Sequence, residues 1–421
     1  MWDPLSEFSH AIFPNGLELH SAYWPNRPWQ MVFLVVHSGS DADPFGAEGT
    51  AHFVEHLISE SSGFNRKEIE KKFDYFGGSV NLGRTSYAAT IYSFFGPTNQ
   101  KFMIDSFNLF GRMIFENALD ADLESNRQIV LAEFDRYFSM EHKYHLALLE
   151  RQSLYPEYFR SRSVSPLGLR ESVKEINKEK LKDFYDRNYV PKNISIVSTG
   201  GLKIYELMDL LFRSNLAQEK SGNRNLLPVA LEEFKKPKEN FHLFSLSKYY
   251  ESAEESLTNS GGYRSVARFP GKTKRWSVYF LKEMIGKLLH QEVREKKSWT
   301  YSMSARNYYL SDVQELVVEC PALSLNAIDE IETTVIRCFN QIQNNTDLFE
   351  QMKKKVLQKL KLIDISGVDL CEQAADHMAA TGKIPTYHEW EREISSVNLK
   401  ELSELACWVV PEMRWTLVIK P

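Results

Sequence analysis

The chain reads as an α+β protein made of two similar halves, and three observations predict this. β-branched and aromatic runs alternate with stretches whose apolar residues recur at helical spacing. The same strand–helix rhythm returns after about 200 residues. Between the two rounds lies "SGNRNLLPVALEEFKKPKEN", which is polar, charged and holds two prolines, as a linker between domains would. The expected division is a first domain over residues 1–220, a linker over 221–240 and a second domain over 241–421.

Taken in order, "LELHSAYWPNRPWQMVFLVVHSGS" reads as two strands around a Pro-Asn turn, ending at Gly39. The helix "GTAHFVEHLISES" follows, apolar nearly all round. "NRKEIEKKFDYFGG" is an amphipathic helix stopped by Gly77 and Gly78. "SVNLGRTSYAATIYSFFGP" has strand composition, and "SFNLFGRMIFENAL" and "RQIVLAEFDRYF" have helical spacing. "INKEKLKDFYDRNY" is a further helix and "NISIVSTGG" a short buried strand. The second round runs from strand "YRSVARFP" through helix "WSVYFLKEMIGKLLHQEVREKK" to strands "WTYSMSARNYY" and "ELVVECPAL". Long helices then lead to a final strand, "RWTLVIK".

Composition narrows the function classes. The chain has 421 residues, 43% hydrophobic and 25% charged, with a net charge of −5 and interspersed signs, so a nucleic-acid surface is not expected. No run of 18 apolar residues occurs, so no membrane span is expected. "MWDPLSEFSHAIFPNG" lacks a basic segment followed by an apolar core, which argues against a secretory signal. Cys320, Cys338, Cys371 and Cys407 are widely spaced with no C-x-x-C pair, and they read as buried reduced thiols. The expected compartment is the cytoplasm.

The chemistry concentrates in "HFVEH". On a helix His52 and His56 lie one turn apart on one face with Glu55 beside them, among apolar Phe53, Val54, Leu57 and Ile58. Polar groups in such a setting need partners. Two histidines at i, i+4 can both reach one tetrahedral divalent ion, and the neighbouring carboxylate can flank its water. Zinc brings that water's pKa to roughly 7, so Glu55 could act as general base in hydrolysis. A lone histidine pair is more often structural, so a third ligand matters. In "NRQIVLAEFDRYF" the positions Ile129, Val130, Phe134 and Phe138 mark the expected core side, and Glu133 falls within that stripe. It would complete a His₂Glu set, unless it forms a buried salt bridge.

Two other strings carry little. "PGKTKRW" lacks the earlier glycine of a phosphate-binding loop, since that position is Val266. His142 and His145 lie among charged residues, as on a solvated helix face.

H-x-x-E-H is the inverted zincin signature, and here the chain resembles the M16 (pitrilysin and insulysin) peptidase family. "FPNGLEL", "VVHSGS", "EGTAHFVEH" and "SPLGLRESVKEINKEKLKDFYDRNYVPKNISIVSTG" carry the likeness, which covers nearly the whole chain. It implies two M16-type domains, each an antiparallel-rich sheet covered by helices, forming half of a clamshell. It also implies Zn2+ on His52, His56 and Glu133, with Glu55 as base. "REKKSWTY" is similar to the family's arginine–tyrosine pair, here Arg294 and Tyr301, which holds substrate and stabilises the oxyanion. "GGSVNLGRTSYAATIY" resembles the segment whose edge strand takes up peptide by strand addition, with Asn81 as the matching asparagine. Thr90 and Tyr92 fall one residue late, which predicts a bulge. Two turns before the third ligand, where the family usually has a glutamate behind the zinc and its water, stands Asn126. Weaker or more substrate-dependent turnover is expected from that change.

The length resembles the short members of the family, which pair to enclose one chamber. A homodimer is implied, or a heterodimer with another M16-like subunit, including pairs of the kind found in bacteriocin maturation clusters. The leading expectation is a zinc endopeptidase acting on enclosed peptides. The alternative is a catalytically silent M16-like subunit, serving as scaffold or substrate-binding partner of an active peptidase.

Overall fold

The computed structural model describes residues 8–61, 65–117, 119–138, 141–155, 165–217, 241–245, 260–310, 313–360, 367–410 and 414–420. The expected linker, 221–240, lies outside them. The first-half elements are β1 (Phe8–Ile12), β2 (Glu18–Tyr23), β3 (Trp29–Val36), α1 (Thr50–Glu60), α2 (Arg66–Tyr75), β4 (Ser79–Thr85), β5 (Thr90–Pro97), α3 (Gln100–Phe115), α4 (Leu123–Tyr137), α5 (Glu141–Leu154), α6 (Arg170–Glu175), α7 (Lys178–Asn188), β6 (Ile194–Gly200) and α8 (Ile204–Phe212). There follow β7 (Phe241–Ser245), β8 (Gly261–Pro270), α9 (Arg275–Leu289), β9 (Ser304–Leu310), β10 (Val313–Leu323), α10 (Ile331–Ile342), α11 (Thr346–Leu360), α12 (Gly367–Thr381), α13 (Tyr387–Ser396), α14 (Leu399–Val409) and β11 (Arg414–Lys420). Several helices start where a side chain takes up a free amide. Asn65, Asn99, Asp122, Asn177 and Asn398 cap α2, α3, α4, α7 and α14.

Two sheets form, and their topologies settle the question of the repeat. The first has the order β1-β2-β6-β3-β5-β4, the second β7-β11-β8-β10-β9. Without β1, each sheet takes its five strands, numbered along the chain, in the order 1-5-2-4-3. The first pair is parallel in both, β2 with β6 and β7 with β11, and the other pairs are antiparallel. The halves are therefore one fold used twice, although α9, which takes the place of α1, contains no histidine.

The compact units depart from the expected sequential division. One comprises Met1–Ser139, Arg160–Pro228 and Leu362–His388; the other comprises Met140–Phe159, Val229–Lys361 and Glu389–Pro421. Each half lends one helix to the other unit, α5 in one direction and α12 in the other. The two occupy equivalent places, third among the helices that separate the fourth and fifth strands of each half. A sheet with helices on one face needs a cover on the other, and the borrowed helix supplies it.

In the first unit β3 is buried on both sides, which explains its unbroken apolar run. Val32, Leu34 and Val36 join Phe53, Leu57, Phe94, Phe107 and Phe110 in the main core. Met31, Phe33 and Val35 face Cys371, Ala374, Ala375 and Met378 of α12. Burying each such large side chain stabilises by about 1.5–3 kcal/mol. In the second unit Arg151 and Tyr155, in and just beyond α5, reach Glu315 of β10. Arg151 Nη1 and the Tyr155 hydroxyl each donate to Glu315 Oε1 at 2.6 Å. Glu150 accepts from Arg264 Nε of β8 at 2.5 Å. Burial alone would raise the Glu315 pKa, but Arg151 and Tyr155 hold it below the ordinary value.

Three further expectations change. Ile129 is 44% exposed, while Leu131 takes its place in the core. Cys407 is exposed, unlike the other three cysteines. "WTYSM" is not strand, since β9 begins at Ser304. The first strand, β1, had no counterpart in the sequence reading.

Candidate metal centre

Helix α1 is held at its start by Asp43, whose carboxylate accepts from the amides of Gly49 and Ala51, each at 2.7 Å. Gly49 sits at φ 102°, a conformation that favours glycine. Phe53, Val54, Leu57 and Ile58 anchor the helix in the core, which fixes the direction of the histidine face. Helix α4, started by Asp122, packs along it. Its buried Asn126 and Val130 share a face with Glu133, which is partly exposed at the edge.

Three ligand-type atoms converge. His52 Nε2 lies 3.2 Å from His56 Nε2, and Glu133 Oε2 lies 3.4 Å from the first and 3.5 Å from the second. The imidazole planes meet at 90°. A tetrahedral zinc with ligands at about 2.0–2.1 Å holds neighbouring ligand atoms roughly 3.3–3.4 Å apart. The triangle thus has the dimensions of one face of such a tetrahedron, and the residues fit the ion. Their charge states suit it too. Burial, followed by His52, pushes the His56 pKa down to about 4, so the ring is neutral at pH 7. The hydrogen bond from His52 brings Glu133 down to about 2, against the opposing effect of its partial burial. A neutral imidazole and an ionised carboxylate are the forms that bind a metal.

Glu55, whose charge interacts with those of His52 and Glu133, is held from β4. Its Oε2 accepts from Thr85 Oγ1 at 2.7 Å, and burial raises its pKa above the ordinary value. Thr85 Oγ1 lies 3.5 Å from Thr90 Oγ1, which in turn donates to the Ser38 carbonyl at 3.0 Å. Gly83, at φ 155°, lies against Glu55, and a Cβ there would overlap the Glu55 Cγ and carboxyl group. Neither Thr85 nor Gly83 was found by sequence reasoning. The expected bulge is present and lies in β4, because Asn81 and Arg84 pair with Ser93 and Ile91. Asn81 is exposed on this edge strand, with its Oδ1 accepting from Gly83 N at 3.0 Å. Thr90 and Tyr92 are fully buried.

Asn126 is 4% exposed. Its Nδ2 donates back to the Asp122 carbonyl at 2.9 Å, which leaves Oδ1 buried without a partner among the described residues. His52 Nδ1 is buried and unpartnered in the same way.

Arg294 and Tyr301 belong to the second unit. Beyond α9 the chain continues as a π-helical turn, His290–Lys296. Val293 is buried there and its carbonyl accepts from Trp299 N at 3.0 Å, while Thr300 Oγ1 donates to the Ala322 carbonyl at 2.6 Å. These anchors leave Arg294 and Tyr301 exposed, with the guanidinium carbon 4.8 Å from the ring centroid. Arg294 Nη1 also meets His290 Nε2 at 3.1 Å.

Comparison with known proteins agrees with these features. Residues 21–155 match the family described as insulinase (peptidase family M16), and residues 175–356 match the peptidase M16 inactive domain. The probable zinc protease PqqL of Haemophilus influenzae is 22% identical, with 95% of this chain and 44% of that protein covered. The mitochondrial-processing peptidase subunit beta of Saccharomyces cerevisiae is 26% identical over 45% of this chain and 40% of that protein. The matched segments thus cover less than half of either relative. Among solved structures, a protease from Helicobacter pylori shares the fold over 100% of both chains, with a TM-score of 0.81 and 18% identity.

Proposed function

The chain belongs to the M16 peptidase family, and from that premise we propose that it is a zinc-dependent endopeptidase acting on peptides enclosed between paired subunits. The observation that carries this is the triangle of His52 Nε2, His56 Nε2 and Glu133 Oε2, sized for a tetrahedral ion. Zinc bound there would supply an acidified water and polarise the scissile carbonyl. Glu55 is the base that takes the water's proton and returns it to the leaving amine, and its raised pKa suits both tasks. Thr85 holds the Glu55 carboxylate in place. The edge strand β4 offers its backbone to an extended peptide, with Asn81 beside it, so the sequence of the peptide matters little. Arg294 and Tyr301, exposed and paired, supply donors to the developing oxyanion of a site completed on a partner subunit.

One observation favours the silent-subunit alternative. Asn126 carries no charge where the family usually has a carboxylate, and its buried Oδ1 has no partner among the described residues. Metal content and turnover of a quenched, unstructured peptide separate the two readings. An active enzyme binds a zinc that Glu133→Ala removes, and it loses turnover by about 10²–10⁴ on Glu55→Gln. A protein that binds zinc yet cleaves no peptide in a broad library is the silent subunit.

A further inference from the structure

A second cluster of ligand-type side chains lies away from that triangle, on the hairpin β1–β2. His10 and His20 are directly opposed across the two antiparallel strands, and their rings stack with centroids 4.4 Å apart and planes within 18°. Glu18 is two residues before His20 and so on the same face. Its Oε2 is 3.4 Å from His20 Nε2, the same edge length as in the first triangle. One ligand atom from each of the three residues falls within 4.8 Å of the other two. The carboxylate is oriented from behind. Ser195 of β6, level with Glu18, donates to Glu18 Oε2 at 3.4 Å and meets His37 Nε2 at 2.9 Å.

We propose that His10, His20 and Glu18 form a second divalent-metal site, selective for borderline ions such as Zn2+, Ni2+ or Cu2+. Two imidazoles and one carboxylate favour these ions over Mg2+ and Ca2+, which take oxygen ligands. His20 and Glu18 already stand at ligand spacing. The exposed His10 already brings a ligand atom within 4.8 Å of both, on a side chain open to solvent. The orienting hydroxyl behind Glu18 is the arrangement that metal-binding carboxylates use. The site also has a structural consequence. Among the described residues β1 is the strand of the first sheet without a counterpart in the second, and it pairs with β2 at the sheet's edge. An ion bridging His10 to His20 and Glu18 fastens this edge strand to the sheet, while the catalytic triangle lies on helices α1 and α4.

The test is equilibrium dialysis of metal-free full-length protein against Zn2+ at pH 7.5, with metal counted by elemental mass spectrometry. Wild type, His10→Ala, Glu133→Ala and the double variant are compared, with Glu18→Gln as a second hairpin variant. The expected counts are two, one, one and none, and Glu18→Gln weakens the hairpin ion at least tenfold. A count that His10→Ala and Glu18→Gln leave unchanged overturns the proposal. A count lowered by His10→Ala but not by Glu133→Ala supports the hairpin site and sinks the zinc peptidase reading instead.

Discussion

Thr85 Oγ1 donates to Glu55 Oε2 at 2.7 Å, across from helix α1 to the edge strand β4. This bond aligns the carboxylate and also favours its charged form, opposing the burial that raises its pKa. Without the hydroxyl, the carboxylate is both looser and harder to ionise. Thr85→Val should lower kcat about tenfold and move the acid limb of the pH–rate profile upward. Zinc content should stay at the wild-type level, and Thr85→Ser should restore the rate. A Thr85→Val enzyme with an unshifted acid limb would show that the bond plays no part.

Gly83 tests the same side of the site by sterics. Any side chain at this position collides with Glu55 and must also adopt a φ of 155°. Gly83→Ala should therefore lower turnover more than Thr85→Val does, with zinc retained because His52, His56 and Glu133 are untouched. A metal count beside the rate assay separates this from misfolding. Equal rates for Gly83→Ala and wild type would mean that Glu55 has room to move and that its observed position is not needed.

How far could these features be read in the sequence? His52, Glu55 and His56 stand in a local helical pattern, so spacing alone aligned them. Glu133 was legible because the apolar stripe of α4 runs beside it, even though Ile129 turned out exposed. Thr85 and Gly83 were not legible, since their significance comes from β4 lying against α1, a tertiary contact with no periodic trace. The exchange of α5 and α12 was hidden for the same reason. A helix carries an apolar face whichever sheet it covers, and nothing local records which one. β1 is short, and its burial alternates weakly. It gave no signal distinct from a loop.

Asn126 offers a gain-of-function test. Its Oδ1 and His52 Nδ1 are each buried without a partner among the described residues. A carboxylate at this position would bring the negative charge that the family usually places behind the zinc and its water. Asn126→Glu should tighten zinc binding by about tenfold and raise turnover. Asn126→Leu should weaken binding. A clear fall in turnover for Asn126→Glu would count against the idea that asparagine limits turnover.

The buried pair in the second unit predicts an acid-sensitive fold. Glu315 has a folded pKa below its ordinary value, so its contribution to stability is present above the ordinary carboxylate pKa. It is lost as pH falls through the lowered folded value. Glu315→Gln should remove that part of the acid-induced drop in melting temperature. Arg151→Met should cost about 3–5 kcal/mol, because it strands a buried carboxylate. The pair Arg151→Met with Glu315→Leu should cost less than Arg151→Met alone. A double variant as unstable as the single one would show that the loss is of packing rather than of charge pairing.

Complementation decides whether the oxyanion donors act on a partner's zinc site. Arg294→Ala removes the guanidinium that faces Tyr301, and Glu55→Gln removes the base, so each variant alone should be inactive. In a randomly mixed homodimer, half the dimers pair one chain of each kind. If each active site takes its base from one chain and its arginine from the other, one site in such a dimer has both groups intact. Mixing equal amounts should then restore roughly a quarter of wild-type activity. If Arg294 serves the zinc site of its own chain, no subunit in the mixture has both groups, and activity stays at the background of the separate variants. A recovery that appears only when the two chains are unfolded and refolded together would further show that the subunits do not exchange once paired.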